Sequence, residues 1–100
     1  MTKHPRKLLV IIAEAALEKN LVADVRQAGA LGYTVHDVRG GSVHATREGS
    51  WEADRTIELK VICEAAVADA IASHVLDAYA PYYGLTLFFA DVGVLRPEKY

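Results

Sequence analysis

The stretch Arg39-Gly40-Gly41-Ser42, with Arg47 and Gly49 a few residues on, is the part of this chain best equipped to hold an anion. Adjacent glycines let main-chain amides approach a phosphate and take positive φ. Ser42 adds a hydroxyl donor, and Arg47 a guanidinium that can grip an oxyanion through two parallel hydrogen bonds. A histidine such as His44 can add charge near neutral pH. The same residues also suit a plainer role. Two glycines make an ordinary turn, and Arg47, Glu48, Glu52, Asp54 and Arg55 are what any solvated loop carries. Trp51 either packs back on the domain or meets a partner. Arg96 and Lys99 form a second pair of cations late in the sequence, where solvation of a terminus is the default. In an oligomer they would reach a neighbour's loop and complete an anion site.

Other chemistries find less support. His4, His36, His44, His74 and Cys63 show no C-x-x-C or H-x-x-x-H pairing, which argues against a metal site. A trimeric metal-binding protein of related fold stays as an alternative. So does a small acylphosphatase-like hydrolase, which needs an Asn or Gln to position water. The chain offers Asn20 and Gln27, both on the first helix. His74 falls on the apolar face of the second helix and reads as a hydrogen-bonded core histidine. Cys63 ends a buried strand and reads as inert packing. A net charge of −2 argues against a nucleic-acid partner. An RNA-recognition module needs exposed aromatics on its central strands, and "TIELKVIC" has none.

The elements that must position these residues follow from periodicity. One hundred residues, 52% hydrophobic and 24% charged, suit a single globular domain over residues 1–100. One cysteine excludes an internal disulfide and fits a reducing, cytoplasmic setting. The apolar run Leu8–Ala13 is too short to cross a membrane as a helix. "KLLVIIA" predicts a strand buried on both faces. Leu17, Leu21, Val25 and Ala28 recur at helical spacing, and Gly32 is the expected stop. "YTVHDVR" and "TIELKVIC" predict two more strands. Val67, Ala70, Ile71, His74, Val75 and Ala78 mark one face of a second helix, broken by Pro81 and Gly84. "LTLFFADVGVL" predicts the last strand.

The order βαββαβ predicts an α+β, ferredoxin-like fold, an antiparallel sheet with both helices on one face. Phe88, Ala90, Val92 and Val94 alternate with Leu85, Leu87 and Phe89, so both faces of the last strand are apolar. An exposed apolar sheet face predicts association with further copies of the chain.

With the elements in this order, "GYTVHDVRG" entering the long connection, "WEADRTIELKVIC" leaving it and "DVGVLRPEKY" at the end resemble the PII signal-transduction superfamily. Its carboxysome-associated and bicarbonate-transporter-associated PII-like members are the nearest in character. The resemblance covers nearly the whole chain. It implies a cytoplasmic, non-enzymatic homotrimer that binds adenine nucleotide in clefts between protomers. Residues 40–55 would be the effector-sensing T-loop, and residues 96–100 a tail closing the cleft. The nucleotide would meet Thr34, Val38, Arg39, Gly40, Gly41 and Ser42. Gly84, Leu85 and Thr86 would form the B-loop side, and Arg96 and Lys99 would add charge. Gly41, Ser42 and Arg47 would hold phosphate or bicarbonate. "APYYGLTLF" lacks the lysine and extra glycines of a typical B-loop, which implies ADP or AMP in preference to ATP. The implied partner is a membrane bicarbonate transporter or a carboxysome protein. The tyrosine context that nitrogen regulators modify is missing, as is a cysteine pair after the last strand.

Overall fold

In β1 (His4–Glu14) the side chains of Leu9, Ile11 and Ala13 alternate with those of Val10 and Ile12. In β5 (Thr56–Cys63) Leu59, Val61 and Cys63 do the same against Lys60 and Ile62. The computed structural model describes residues 1–41, 46–47 and 55–100. β1 and β5 are its two central strands, flanked by β2 (Thr34–Val38) and β6 (Thr86–Val94) in the order β2–β5–β1–β6. Every pairing in this sheet is antiparallel. α1 (Glu18–Gln27) follows a 3₁₀ turn at Ala15–Leu17, and α2 (Ala65–Ala78) follows β5. The split βαβ arrangement is the one the element order predicts.

One sheet face carries the core. Leu9 pairs with Val61, Ile11 with Leu59 and Ala13 with Ile57, Cys63 lies on the same face, and Leu17, Leu21, Val25, Ala68, Ile71 and Val75 close over them. All of these are nearly or fully removed from water. Burial of this apolar surface is the main force holding the helices on the sheet. On α2 the buried face is Ala68, Ile71, Ala72 and Val75, while Ala70, His74 and Ala78 are exposed. The expected stripe was rotated because alanines, small on either side, do not mark which face is buried.

Two boundaries differ from the sequence reading for clear reasons. β1 begins at His4, three residues before Lys7, because β6 continues to pair with it as far as His4–Val94. β5 has already ended there, at Cys63 opposite Lys7. Pro5 therefore sits where β1 has a neighbour on one side only, the setting a strand proline tolerates. α1 ends at Gln27, and the stop is Gly29 with φ +105°, not Gly32. The Ala30 N–H donates to Val25 O and the Gly29 N–H to Arg26 O. That pair of bonds is the Schellman closure, which needs a left-handed residue at this position.

Gly29→Ala should therefore lower stability by about 1–2 kcal/mol. Gly32→Ala should be near neutral, since nothing lies within 4 Å of an added Cβ. Urea denaturation of the two variants decides between the two glycines.

Candidate functional site

The long connection leaves the sheet at one corner. Val38 pairs with Thr56, so its two ends are held one strand spacing apart. Arg55 Nη2 donates to Asp37 Oδ1 at 2.7 Å, and the Ala15 N–H donates to Arg55 O at 2.9 Å. Arg55 thus ties the base of the connection to β2 and to the first turn after β1. The connection itself begins as a short hairpin. β3 (Gly40–Gly41) pairs with β4 (Thr46–Arg47), with Gly40 opposite Arg47 and Gly41 opposite Thr46. Gly40 takes extended backbone in open space, not the positive φ that its type allows. Its use here is slimness: it leaves the amide ladder uncovered. Ser42, His44, Gly49, Trp51 and the side chain of Arg47 lie outside the described residues.

Thr34 and Val38 belong to β2, and by strand alternation they project from the face opposite the core, as does Thr86. Thr34, Arg39, Gly40 and Gly41 are exposed, and Val38 is half-buried. Gly84 and Thr86 are exposed too, but Leu85 turns inward and packs on the core, leaving only its backbone for a ligand. Arg96 Nε lies 3.2 Å from Glu98 Oε1, with both side chains largely in water. Lys99 closes a 3₁₀ turn over Pro97–Lys99 and is exposed.

These segments do not meet within one chain. β2 and β6 are the two edges of the sheet, three strand spacings apart, or about 14 Å. Gly84–Thr86 shares an end of the sheet with Val38–Gly41 but lies at the other edge, since Thr86 pairs with Ile12. Arg96 and Lys99 follow Val94, which pairs with His4 at the opposite end. His4 to Ile12 along β1 is about 27 Å. Surface clefts among the described residues lie elsewhere. One of about 250 Å³ is lined by Asp24, Gln27, Ala28, Ile71 and His74, and one of about 320 Å³ by Glu18, Lys19, Val22, Ala23, Arg26 and Tyr33. Neither includes a residue expected to touch nucleotide.

The coreless sheet face is divided. Leu8, Val10, Ile12, Ile62, Phe88, Ala90 and Val92 make its β1–β6 part apolar, and Phe88 is 47% exposed. Toward β2, Glu58 lies 3.3 Å from His36 Nε2 and 3.8 Å from Lys60 Nζ. Among the described residues no three His, Cys, Asp or Glu side chains stand close enough to hold a metal ion, and no helix is long and apolar enough to cross a membrane.

A family model for nitrogen regulatory protein P-II matches residues 6–99. The chain belongs to the P-II family. A PII-like signalling protein from Thermus thermophilus is 37% identical, with a TM-score of 0.86, over 100% of this chain and 99% of that one. CPII from Thiomonas intermedia, bound to ADP and bicarbonate, is 24% identical with a TM-score of 0.87, over 98% and 96% of the two chains. The same protein bound to ADP, AMP and bicarbonate matches at 26% identity and a TM-score of 0.82, over 98% and 95%. Among curated proteins none matches.

The P-II fold of this chain also carries a polar brace between its helices. The Tyr79 hydroxyl donates to Asp24 Oδ2, and His74 Nε2 lies 3.3 Å from Asp24 Oδ1. The His74 and Tyr79 rings meet edge to face at 6.2 Å. His74 is thus a half-exposed partner of a carboxylate, not a core histidine. The sequence signal was available: Asp24 is one turn from Leu21 and next to Val25, at the margin of the apolar stripe. Burial, then the hydrogen bond to Asp24, pushes the Tyr79 hydroxyl up to about 12. Burial, then the adjoining Glu64 carboxylate, pushes the Cys63 thiol up, which keeps it unreactive.

A tyrosine whose pKa rises on folding favours the fold while it stays protonated. That contribution is complete below the unfolded value of 10.0 and is lost as pH rises through about 12. Wild-type stability should fall across that window, and the fall should be smaller in Tyr79→Phe. At neutral pH the same variant should cost about 1 kcal/mol. Denaturant titrations at pH 7, 10 and 11.5 check both.

Proposed function

We propose that this chain is a cytoplasmic, non-catalytic sensor that binds ADP or AMP together with bicarbonate at clefts between the protomers of a homotrimer. The observation that carries this reading is the separation of the anion-binding segments over the two edges and two ends of one sheet. A second copy that sets the Gly84–Thr86 end of its β6 edge beside the first copy's β2 edge brings these two segments within reach of one ligand, and Arg96 and Lys99, at the far end of β6, reach it from another copy. The apolar part of the coreless face, about Phe88 and Ala90, supplies the driving force for that association. CPII, with the same fold and size, binds ADP, AMP and bicarbonate, which supports the choice of ligands.

In this reading Thr34 and Val38 lie beside the base, and Arg39, Gly40, Gly41 and Ser42 line the phosphates. Gly41, Ser42 and Arg47 hold bicarbonate or the terminal phosphate. Gly84, the Leu85 backbone and Thr86 form the facing wall, and Arg96 and Lys99 offset the remaining negative charge. Two anions in one cleft repel, so each needs arginine and amide donors. A ligand that binds one form of the long connection better than another shifts the chain toward that form by its differential affinity. The loop then reports inorganic-carbon and energy status to a bicarbonate transporter or a carboxysome protein.

Light scattering should give about three times the chain mass of 10.9 kDa; a monomer would remove the cleft. Calorimetry should show that bicarbonate tightens ADP or AMP binding, and that nucleotide tightens bicarbonate binding by the same factor. Arg47→Ala should weaken that coupling, and full retention would exclude this role for Arg47. Gly40→Ala, sterically free in the unliganded chain, should leave the melting temperature unchanged yet weaken nucleotide binding about tenfold, if phosphate rests against this backbone. Equal affinity in wild type and Gly40→Ala would place the phosphate elsewhere.

A further inference from the structure

Each of the three guanidinium nitrogens of Arg6 donates to a main-chain oxygen. Its Nη1 donates to Pro5 O at 2.8 Å, Nη2 to Pro97 O at 3.1 Å and Nε to Tyr100 O at 3.4 Å. The last two acceptors are the two ends of the turn that carries Lys99 and directly follows Arg96. Two local bonds hold that turn, from the Lys99 N–H to Arg96 O and from the Tyr100 N–H to Pro97 O. A single 3₁₀ turn held by two such bonds is marginal by itself. The Arg96–Glu98 pair adds little, because both side chains are mostly in water. Besides these local bonds, Arg6 joins the turn to β1 through its bonds to Pro97 O and Tyr100 O.

We propose that Arg6 is a positioning residue: it latches the Pro97–Tyr100 turn onto β1 and thereby sets where Arg96 and Lys99 are presented to an anionic ligand. The functional half of this inference rests on the nucleotide reading given above. Three of the five Arg6 N–H groups are given to main-chain oxygens, so its part in this proposal is to place the turn. A planar fork is needed to serve carbonyls three residues apart, and an ammonium does not reproduce it. The extension of β1 back to His4 is what makes the latch possible. It carries Arg6 into register with Val92, two residues short of the strand's last residue, Val94. The alternation of β1 also points Arg6 to the face away from the helices, so the latched turn lies on the side where a second copy would sit.

The test uses the full chain in four forms: wild type, Arg6→Lys, Lys99→Ala and the double variant. Amide exchange of Lys99 and Tyr100 should speed up about tenfold in Arg6→Lys, while the core amides of Leu9, Ile11 and Leu59 keep their wild-type rates. ADP should bind Arg6→Lys about three- to tenfold more weakly. The penalty of Lys99→Ala seen with Arg6 present should vanish in the Arg6→Lys background, because an unlatched lysine is no longer placed. Unchanged exchange in Arg6→Lys, or strictly additive penalties, would overturn the proposal. Faster exchange of the core amides as well would assign Arg6 a general structural role and overturn it too. If wild type fails to bind ADP, the nucleotide reading falls and the presentation of cations falls with it. The exchange rates of Lys99 and Tyr100 would still decide whether Arg6 latches the turn.

Discussion

Strand order is the constraint from which the rest follows. Four antiparallel strands ordered β2–β5–β1–β6 send the two segments proposed to hold anions to opposite edges of one sheet. The order is itself a consequence of burial. β1 and β5 carry most of the buried strand side chains and take the centre, with a strand on either side of each. The more polar β2 and the two-faced β6 are left at the rims. A site assembled from rims has to be completed from outside the chain, and the uncovered apolar part of the other face favours that completion. In such an arrangement, ligand binding and association use neighbouring surfaces, so each strengthens the other.

Much of this was legible in the sequence because it depends on periodicity. The alternation of β1 and β5, the helical spacing of Leu17, Leu21 and Val25, and the turn residues about Pro81 and Gly84 fix the element order and so the fold. The long connection was legible as a feature from its glycines and charges. That it opens as a hairpin, with Gly40 opposite Arg47, was not. Glycine has weak strand preference, and its pairing depends on what stands across from it.

The features that escaped are those set by long-range contact. Gly29 and Gly32 are equivalent as helix stops until the backbone shows which one is left-handed. His74 looked like a core residue because Ala70 and Ala78 read as apolar, while Asp24, fifty positions earlier, was the partner that drew it to the margin. Arg55 read as loop solvation, yet its bond to Asp37 closes the base of the connection. Arg6 lies in a basic stretch of sequence with nothing to single it out, and its contacts become visible only when residues 97 and 100 lie beside it. In each case the residue type permitted the contact and the sequence distance hid it.

The central claim, that one ligand site is built from two chains, is tested most directly by complementation. Arg47→Ala disables the β2 edge, and Thr86→Glu places a negative charge on the β6 edge. Each variant alone should bind ADP poorly. If the two are unfolded together and refolded as a mixture, some clefts will join an intact β2 edge to an intact β6 edge, and calorimetry should recover a fraction of wild-type sites at wild-type affinity. Mixtures that bind no better than the separate variants, although light scattering shows that mixed oligomers have formed, would contradict a site shared between chains.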